Sequence, residues 1–367
     1  MSSPGRDLEF MEMAYSLAEK ARGRTSPNPC VGAVVVKAGK VIGWGYHQEA
    51  GKPHAEIIAL ERAGLRARGA TLYLTLEPCV HWGRTPPCVD RLLQSGLKRV
   101  VVSAYDPNPL VNRKGVARLR QAGIEVETGL LDHLNLKLNE SYIKYISQRV
   151  PFVTLKAALS LDGKMAAASG DSRWISSPES RYFVQNLRAE HDAILVGINT
   201  ILRDDPELTL RLEETSGKKW HRLILDTFLR FPPEARLLRN IRAGLVIIFT
   251  GTGVPEDRAS SLRQKGAEII RVPASGGQVD LKAVLEELGR REISSVLVEG
   301  GAGVLTSFIQ QKLADKVYFF LSPRFIGGEK SPTPFEGRGA ETVADALELK
   351  KVRHFAIRND IIVEGYV

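Results

Sequence analysis

Residues 54–88 read HAEIIALERAGLRARGATLYLTLEPCVHWGRTPPC. His54-Ala55-Glu56 opens the stretch, Glu77-Pro78-Cys79 follows an apolar run, and Cys88 closes it. One imidazole and two thiolates suit zinc, which takes nitrogen and sulfur ligands in a tetrahedron. Three protein ligands leave a fourth position for water, the mark of a catalytic site; a closed structural site has none. His81 would fill that position if it were a ligand, so it is read as a bystander, and Cys30 is not needed. Glu56 stands two residues after the histidine, a spacing that does not align side chains along a continuous helix. The two converge only in a first helical turn, so a helix start is placed here.

Bound zinc lowers the pKa of water from ~16 to ~7. An amine leaves poorly until it is protonated, and a carboxylate beside the metal can carry the proton from water to it. Glu56 is the candidate for that work. H-x-E followed by P-C and a second Cys is the pattern of zinc deaminases. The usual spacing puts two residues between the cysteines; here there are eight, VHWGRTPP, which points to one branch of those enzymes.

Working outward, a helix fits residues 7–22, with Leu8, Met11, Tyr15 and Ala18 on one face. Strands fit 31–36 and 40–46, joined by a turn at Ala38-Gly39. Helix 54–64, strand 71–76, helix 87–94, strand 99–104, helix 115–122, strand 124–129 and a single helix over 131–147 lead to Pro151. A domain boundary there gives two domains, 1–150 and 151–367, each long enough for its own core. The second half restarts with strands at 151–159, 192–197, 222–227, 245–250, 294–300 and 316–322, mostly separated by helical stretches. This alternation predicts an α/β fold with a largely parallel sheet. Residues 327–339, GGEKSPTPFEGRG, read as a surface loop.

Composition sets limits. The chain is 43% hydrophobic and 25% charged, which excludes a disordered or fibrous protein. A net charge of +9 favours anionic partners, or simply solubility. Three cysteines are no disulfide framework and fit a reducing cytosol. The N-terminus lacks a signal-peptide layout, and no apolar run reaches the ~18 residues of a membrane span. The expectation is a cytoplasmic protein without a membrane partner.

The second half has no G-x-G-x-x-G after its first strand. Instead SSVLVE ends in Gly300-Gly301-Ala302-Gly303. Glycines between a strand and a helix let backbone approach a pyrophosphate at a helix N-terminus, or merely make a tight turn.

The runs TSPNPCVGAVVV, GYHQEAGKPHAE and TLEPCVHWGRTPPC resemble the deaminase domain of the bifunctional riboflavin biosynthesis deaminase–reductases. LKAALSLDGKMA, SGDSRWISSPESR and LRDDPELTLR resemble their reductase domain, so the likeness covers nearly the whole chain. It implies a cytidine deaminase-like α/β/α domain followed by a dihydrofolate reductase-like α/β domain. It also implies two steps. The first is hydrolysis of the 2-amino group of 2,5-diamino-6-ribosylamino-4(3H)-pyrimidinone 5′-phosphate, with zinc on His54, Cys79 and Cys88. The second is reduction of the ribosyl group by NADPH to give 5-amino-6-ribitylamino-uracil 5′-phosphate.

The resemblance gives Asn28, His47 and Arg84 to the deaminase's substrate. Asn28 also suits a plain turn. It gives Lys156, Ala158, Trp174, Thr200, Asp204, Thr227, Gly301, Ala302, Gly303 and Val304 to NADPH. Ser172, Arg188, Leu208, Arg211 and Glu299 go to the reductase's phosphorylated pyrimidine substrate. Arg188 would suit a phosphate, and Glu299 needs a buried partner that ribose hydroxyls would supply. Lys156, Asp204 and Glu299 stand as alternatives for moving a proton in the reduction. Preference for NADPH follows from the resemblance alone, as does association into a homo-oligomer. A nucleic-acid deaminase shares the zinc pattern and suits the charge. Only 7% of residues are aromatic, and no basic–aromatic stacking platform is evident, so no nucleic-acid partner is expected. A zinc-stabilised binding protein without catalysis would tolerate Glu56→Gln.

Overall fold

The computed structural model describes residues 4–83, 86–212 and 220–367. The chain divides into two compact units, Met1–Arg149 and Val150–Val367.

In the first unit α1 (Pro4–Glu19) precedes a hairpin of β1 (Gly32–Lys37) and β2 (Lys40–Tyr46). The hairpin turns at Ala38 and Gly39, both with positive φ, a turn whose twist matches the strands it joins. Then come α2 (Ala55–Ala63), β3 (Thr71–Leu76), α3 (Cys88–Gln94), β4 (Arg99–Ala104), α4 (Lys114–Gln121) and β5 (Glu125–Thr128). The sheet runs β2-β1-β3-β4-β5, antiparallel across its first three strands and parallel beyond. Alternate residues feed opposite layers. Ala33, Val35, Leu72, Leu74, Val100 and Val102 pack with Ala55, Ala59, Val89 and Leu119. Val34, Val36, Tyr73 and Val101 pack with Met11, Ala14 and Tyr15. Both faces are covered, so the strands read as unbroken apolar runs.

The single helix expected over 131–147 is two: α5 (Asp132–Leu138) and α6 (Glu140–Gln148). Asn139 breaks it. Its side chain accepts from the Cys30 N–H at 2.7 Å and donates to the Cys30 carbonyl at 3.0 Å, pairing like a strand neighbour. Apolar periodicity does not reveal a side chain committed to another segment's backbone.

The second unit is built on β6 (Phe152–Ser160), α7 (Pro178–Glu190), β7 (Ala193–Gly197), α8 (Ile198–Asp204), β8 (Trp220–Leu225), α9 (Arg236–Arg239), β9 (Gly244–Thr250), α10 (Glu256–Gln264) and β10 (Glu268–Arg271). A short β11–β12 pair (Ala274–Ser275, Gln278–Val279), α11 (Leu281–Arg290), β13 (Ser295–Val298), α12 (Ala302–Gln310), β14 (Lys316–Ser322), β15 (Lys350–Ile357) and β16 (Asp360–Tyr366) complete it. The nine-stranded sheet runs β10-β9-β8-β7-β13-β6-β14-β16-β15. It is parallel as far as β14; β16 and β15 add antiparallel. β10, β15 and β16 are not among the strands expected from the sequence. β15 is an exposed edge strand with charges at Lys350, Lys351 and Arg353, so it lacks the apolar signature of a buried strand. Strand β8 starts at Trp220 and stops at Leu225, leaving Thr227 in the turn beyond it. Arg222 in β8 is fully buried, and its guanidinium donates to the carbonyls of Glu207, Leu237, Asn240 and Gly244.

Among the described residues, no helix is long and apolar enough to cross a membrane.

Candidate metal centre and cofactor cleft

In the first unit α2 lies directly on β2. A Cβ at Gly43 would meet the Ala59 carbonyl oxygen at 2.2 Å, and one at Gly45 the Ala55 oxygen at 2.5 Å. Glycine on the strand and alanine on the helix therefore set how close the helix start comes. His54 is the N-cap of α2 with extended backbone, and Glu56 stands in the first turn, as expected. Cys79 leaves the C-terminal end of β3, and Cys88 opens α3.

Glu77 fixes the loop between. Its carboxylate accepts from the N–H groups of Val116 (3.0 Å), Arg113 (2.9 Å) and Asp106 (3.3 Å). A Cβ at Gly115 would strike the Pro78 carbonyl at 2.3 Å, so the start of α4 clamps the residues ahead of Cys79. The Cys79 carbonyl also accepts from the Val89 N–H at 3.2 Å.

The ligand atoms of His54, Cys79 and Cys88 all lie within 4.8 Å of one another. His54 Nδ1 is 3.0 Å from Cys88 Sγ and 3.7 Å from Cys79 Sγ. A tetrahedral ion with bonds of ~2.0–2.3 Å spaces its ligand atoms ~3.5–3.8 Å apart, so the donor set fits zinc in kind, the His54–Cys79 distance fits its spacing, and His54 and Cys88 stand closer than an ion would hold them. The contact with Cys88 holds the Cys79 thiol down at about 4 against burial, with His54 adding to the pull. Cys88 is pushed up in turn, first by Cys79 and then by burial. Ligation needs both as thiolates. Burial raises the carboxyl of Glu56, which is 3% exposed.

His47 and Asn28 form the adjoining wall. The His47 ring packs edge-on to His54 at 5.1 Å between centroids. Its Nδ1 faces the Pro53 carbonyl at 3.3 Å, so Nε2 accepts from the Asn28 amide at 3.2 Å. Burial lowers His47 to about 4, making it a neutral hydrogen-bonding group at pH 7. Arg84 lies outside the described residues. Asp106, which no sequence pattern marks, accepts from the Tyr142 hydroxyl at 2.8 Å and the Asn108 N–H at 2.8 Å. Burial pushes it up to about 6. It stands two residues beyond β4 on a loop, where no periodic signal exists to find it.

In the second unit a cleft of about 1330 Å³ opens at the C-terminal ends of the parallel strands. Lys156, Ala158, Ser172, Trp174, Arg188, Thr200, Asp204, Leu208, Arg211, Thr227, Glu299, Gly301, Ala302, Gly303 and Val304 all line it. The glycine run divides by role. A Cβ at Gly300 would meet the Val304 Cβ at 2.6 Å, so that glycine serves helix packing. Gly301 and Gly303 have nothing within 4 Å of such an atom and leave open backbone at the start of α12. That is the cradle an anionic dinucleotide needs.

Glu299 is already partnered. Arg188 Nε donates to Oε1 at 2.6 Å and Nη2 to Oε2 at 3.1 Å; the Lys156 ammonium lies 3.7 Å from Oε2. Ribose hydroxyls are the partner expected for Glu299 and a phosphate for Arg188; here the two side chains hold each other. Despite burial, the charges of Arg188 and Lys156 keep Glu299 ionised down to about 2. Burial lowers Lys156, against the pull of Glu299.

Residues 4–104 match the family described as the cytidine and deoxycytidylate deaminase zinc-binding region, and residues 151–363 match the RibD C-terminal domain. The chain is 44% identical over 357 residues to the riboflavin biosynthesis protein RibD of Aquifex aeolicus, covering 97% of each. It superposes on Acinetobacter baumannii RibD, form 1, with a TM-score of 0.89 at 38% identity, covering 99% of both chains. It superposes on a diaminohydroxyphosphoribosylaminopyrimidine deaminase/5-amino-6-(5-phosphoribosylamino)uracil reductase from Thermotoga maritima with a TM-score of 0.86 at 38% identity, again covering 99% of both.

Proposed function

The chain belongs to the RibD family of bifunctional riboflavin biosynthesis enzymes, and from that premise we propose a division of labour and a role for each residue. Residues 1–150 deaminate 2,5-diamino-6-ribosylamino-4(3H)-pyrimidinone 5′-phosphate, and residues 151–367 then reduce its ribosyl group to ribityl. The observation that carries the reading is His54, Cys79 and Cys88 gathered beside a buried Glu56, the constellation that zinc deaminases use.

His54, Cys79 and Cys88 hold the zinc, which when bound makes water acidic near neutral pH. Glu56 takes the proton that water loses as its oxygen bonds to C2. Glu56 then returns it to the amine, which leaves as ammonia when the C–N bond breaks. A carboxyl raised by burial is matched to both halves of that transfer. Asn28, fixed by His47, keeps its amide oxygen for the pyrimidine edge. Arg84 is assigned to the substrate's phosphate by the resemblance alone.

In the second unit, Gly301, Ala302, Gly303 and Val304 hold the pyrophosphate of NADPH. Lys156, Ala158, Trp174, Thr200, Asp204 and Thr227 line the rest of its path. The cofactor supplies hydride to ribose C1′. Ser172, Arg188, Leu208, Arg211 and Glu299 orient the substrate. Glu299, ionised down to about 2, has no proton to give at neutral pH. Lys156, lowered by burial, is the group placed to donate one to the opening ribose. Two of the three thiols are metal ligands that must stay reduced, which supports a cytoplasmic location. Association into a homo-oligomer is carried over from the resemblance.

The test is a coupled assay on the purified, zinc-loaded protein given the diaminopyrimidinone phosphate. Ammonia release without cofactor, and NADPH oxidation only after deamination, are expected. Ammonia without any NADPH oxidation would remove the reductase assignment. Release from RNA or a nucleoside instead would remove the substrate.

A further inference from the structure

The cleft of the second unit has a direction. Gly197, at the end of β7, lies against the first turn of α12: a Cβ there would meet Val304 Cγ2 at 2.8 Å. Gly197 is also paired with Leu225, the last residue of β8. The floor therefore runs from the open glycines, past Asn199, to the turn after β8. Lys156 and Glu299 occupy the other end, on β6 and beyond β13. A dinucleotide whose nicotinamide faced that ion cluster would place its adenosine half over the β8 turn.

At that turn the charges are arranged for one sign. Asp226 would be the natural carboxylate for a ribose 2′-hydroxyl, but it is withdrawn. It is 1% exposed, and its Oδ2 accepts from the Phe231 N–H at 2.8 Å. Arg230 instead faces the cleft. Its Nη2 donates to Asn199 Oδ1 at 3.0 Å; no carboxylate pairs with it at salt-bridge distance among the described residues, although its charge acts on the buried Asp226. The neighbouring cations are placed otherwise. Arg236 pairs with Asp205, and Arg203 lies one turn, ~6 Å, beyond Asn199 along α8, with its guanidinium toward Gly170. In Rossmann dinucleotide sites an acid accepts from the 2′-hydroxyl of NAD, whereas an arginine meets the 2′-phosphate of NADP, and the same charge complementarity applies wherever that group is bound.

We infer that Arg230, braced by Asn199, is the residue that selects a 2′-phosphorylated dinucleotide in this chain. The inference rests on the cofactor cleft assigned above.

Equilibrium binding of NADP+ and NAD+ to the full chain, by titration calorimetry, tests it. Wild type binds NADP+ more tightly. Arg230→Ala weakens NADP+ about 10–100-fold, the range of a lost charge-assisted contact, and leaves NAD+ within about twofold. Arg230→Lys keeps part of the preference. 2′,5′-ADP suffers the same loss as NADP+, and 5′-AMP does not. An unchanged preference in Arg230→Ala, or its loss in Arg203→Ala instead, overturns the role of Arg230. Failure of wild type to bind either dinucleotide overturns the cleft assignment itself, and this proposal with it.

Discussion

Replacing Glu299 by Gln removes one negative charge and almost no volume. The carboxylate, 11% exposed at its side chain, is what compensates Arg188 and Lys156, themselves 15% and 16% exposed. An amide oxygen can still accept one guanidinium N–H, but the amide nitrogen then points a donor at another donor. Two like charges remain buried together. Breaking a buried ion cluster from one side costs ~3–5 kcal/mol. The acid side gives a similar figure. Glu299 is held at about 2 against an ordinary 4.5; that difference, at ~1.4 kcal/mol per unit, is ~3 kcal/mol. A folded-state pKa below the unfolded one means stability present above the unfolded value and lost as pH falls through the folded one. The window is therefore pH 4.5 down to about 2. For a unit of this size ~3–5 kcal/mol lowers the melting temperature by roughly 10 °C. The assay is denaturant unfolding at pH 7, followed by the fluorescence of Trp220, which is fully buried in the same unit. Glu299→Gln should lose the share of the acid-side slope in that window that Glu299 contributes, leaving the shares of Asp162 and Glu256. Adding Lys156→Met should recover part of the loss. A shift under ~1 kcal/mol, or strictly additive single and double variants, would refute the view that these charges act as one cluster.

Glu56→Gln should lower ammonia release ~10²–10⁴-fold while bound zinc, measured by atomic absorption, stays at wild-type level; retained turnover would remove Glu56 as the proton carrier. Gly45→Ala places a methyl 2.5 Å from the Ala55 carbonyl, so α2 must shift; zinc affinity in competition with a chelator should fall at least ~10-fold, more than the stability of the unit does. Asn139→Ala strips the Cys30 N–H and carbonyl of their partners and should cost ~2–4 kcal/mol in chemical unfolding; a neutral result would mean that α5 and α6 break for another reason. Arg222→Met removes the donor from four carbonyls, those of Leu237 and Gly244 in buried contacts, and should destabilise the second unit by ~3 kcal/mol or more without changing zinc content.

Where the side chains of a segment carried the signal, the sequence was enough. The strands 40–46, 71–76, 99–104 and 316–322 were read to the residue because both faces of each are apolar or turn-bounded. His54, Glu56, Cys79 and Cys88 were legible because metal chemistry restricts residue type as well as spacing. Tertiary structure decided whatever depended on a distant partner. It gave Arg188 and Lys156 to Glu299, where the sequence offered only a phosphate and ribose hydroxyls. It gave the side chain of Glu77 to the backbone at Asp106, Arg113 and Val116, and that of Asn139 to Cys30. It turned Asp226 inward and Arg230 outward at the end of one strand. Periodicity and motif spacing record which face of an element is buried; they hold no record of which charge across the fold answers a given side chain, because that pairing exists only once the strands lie side by side.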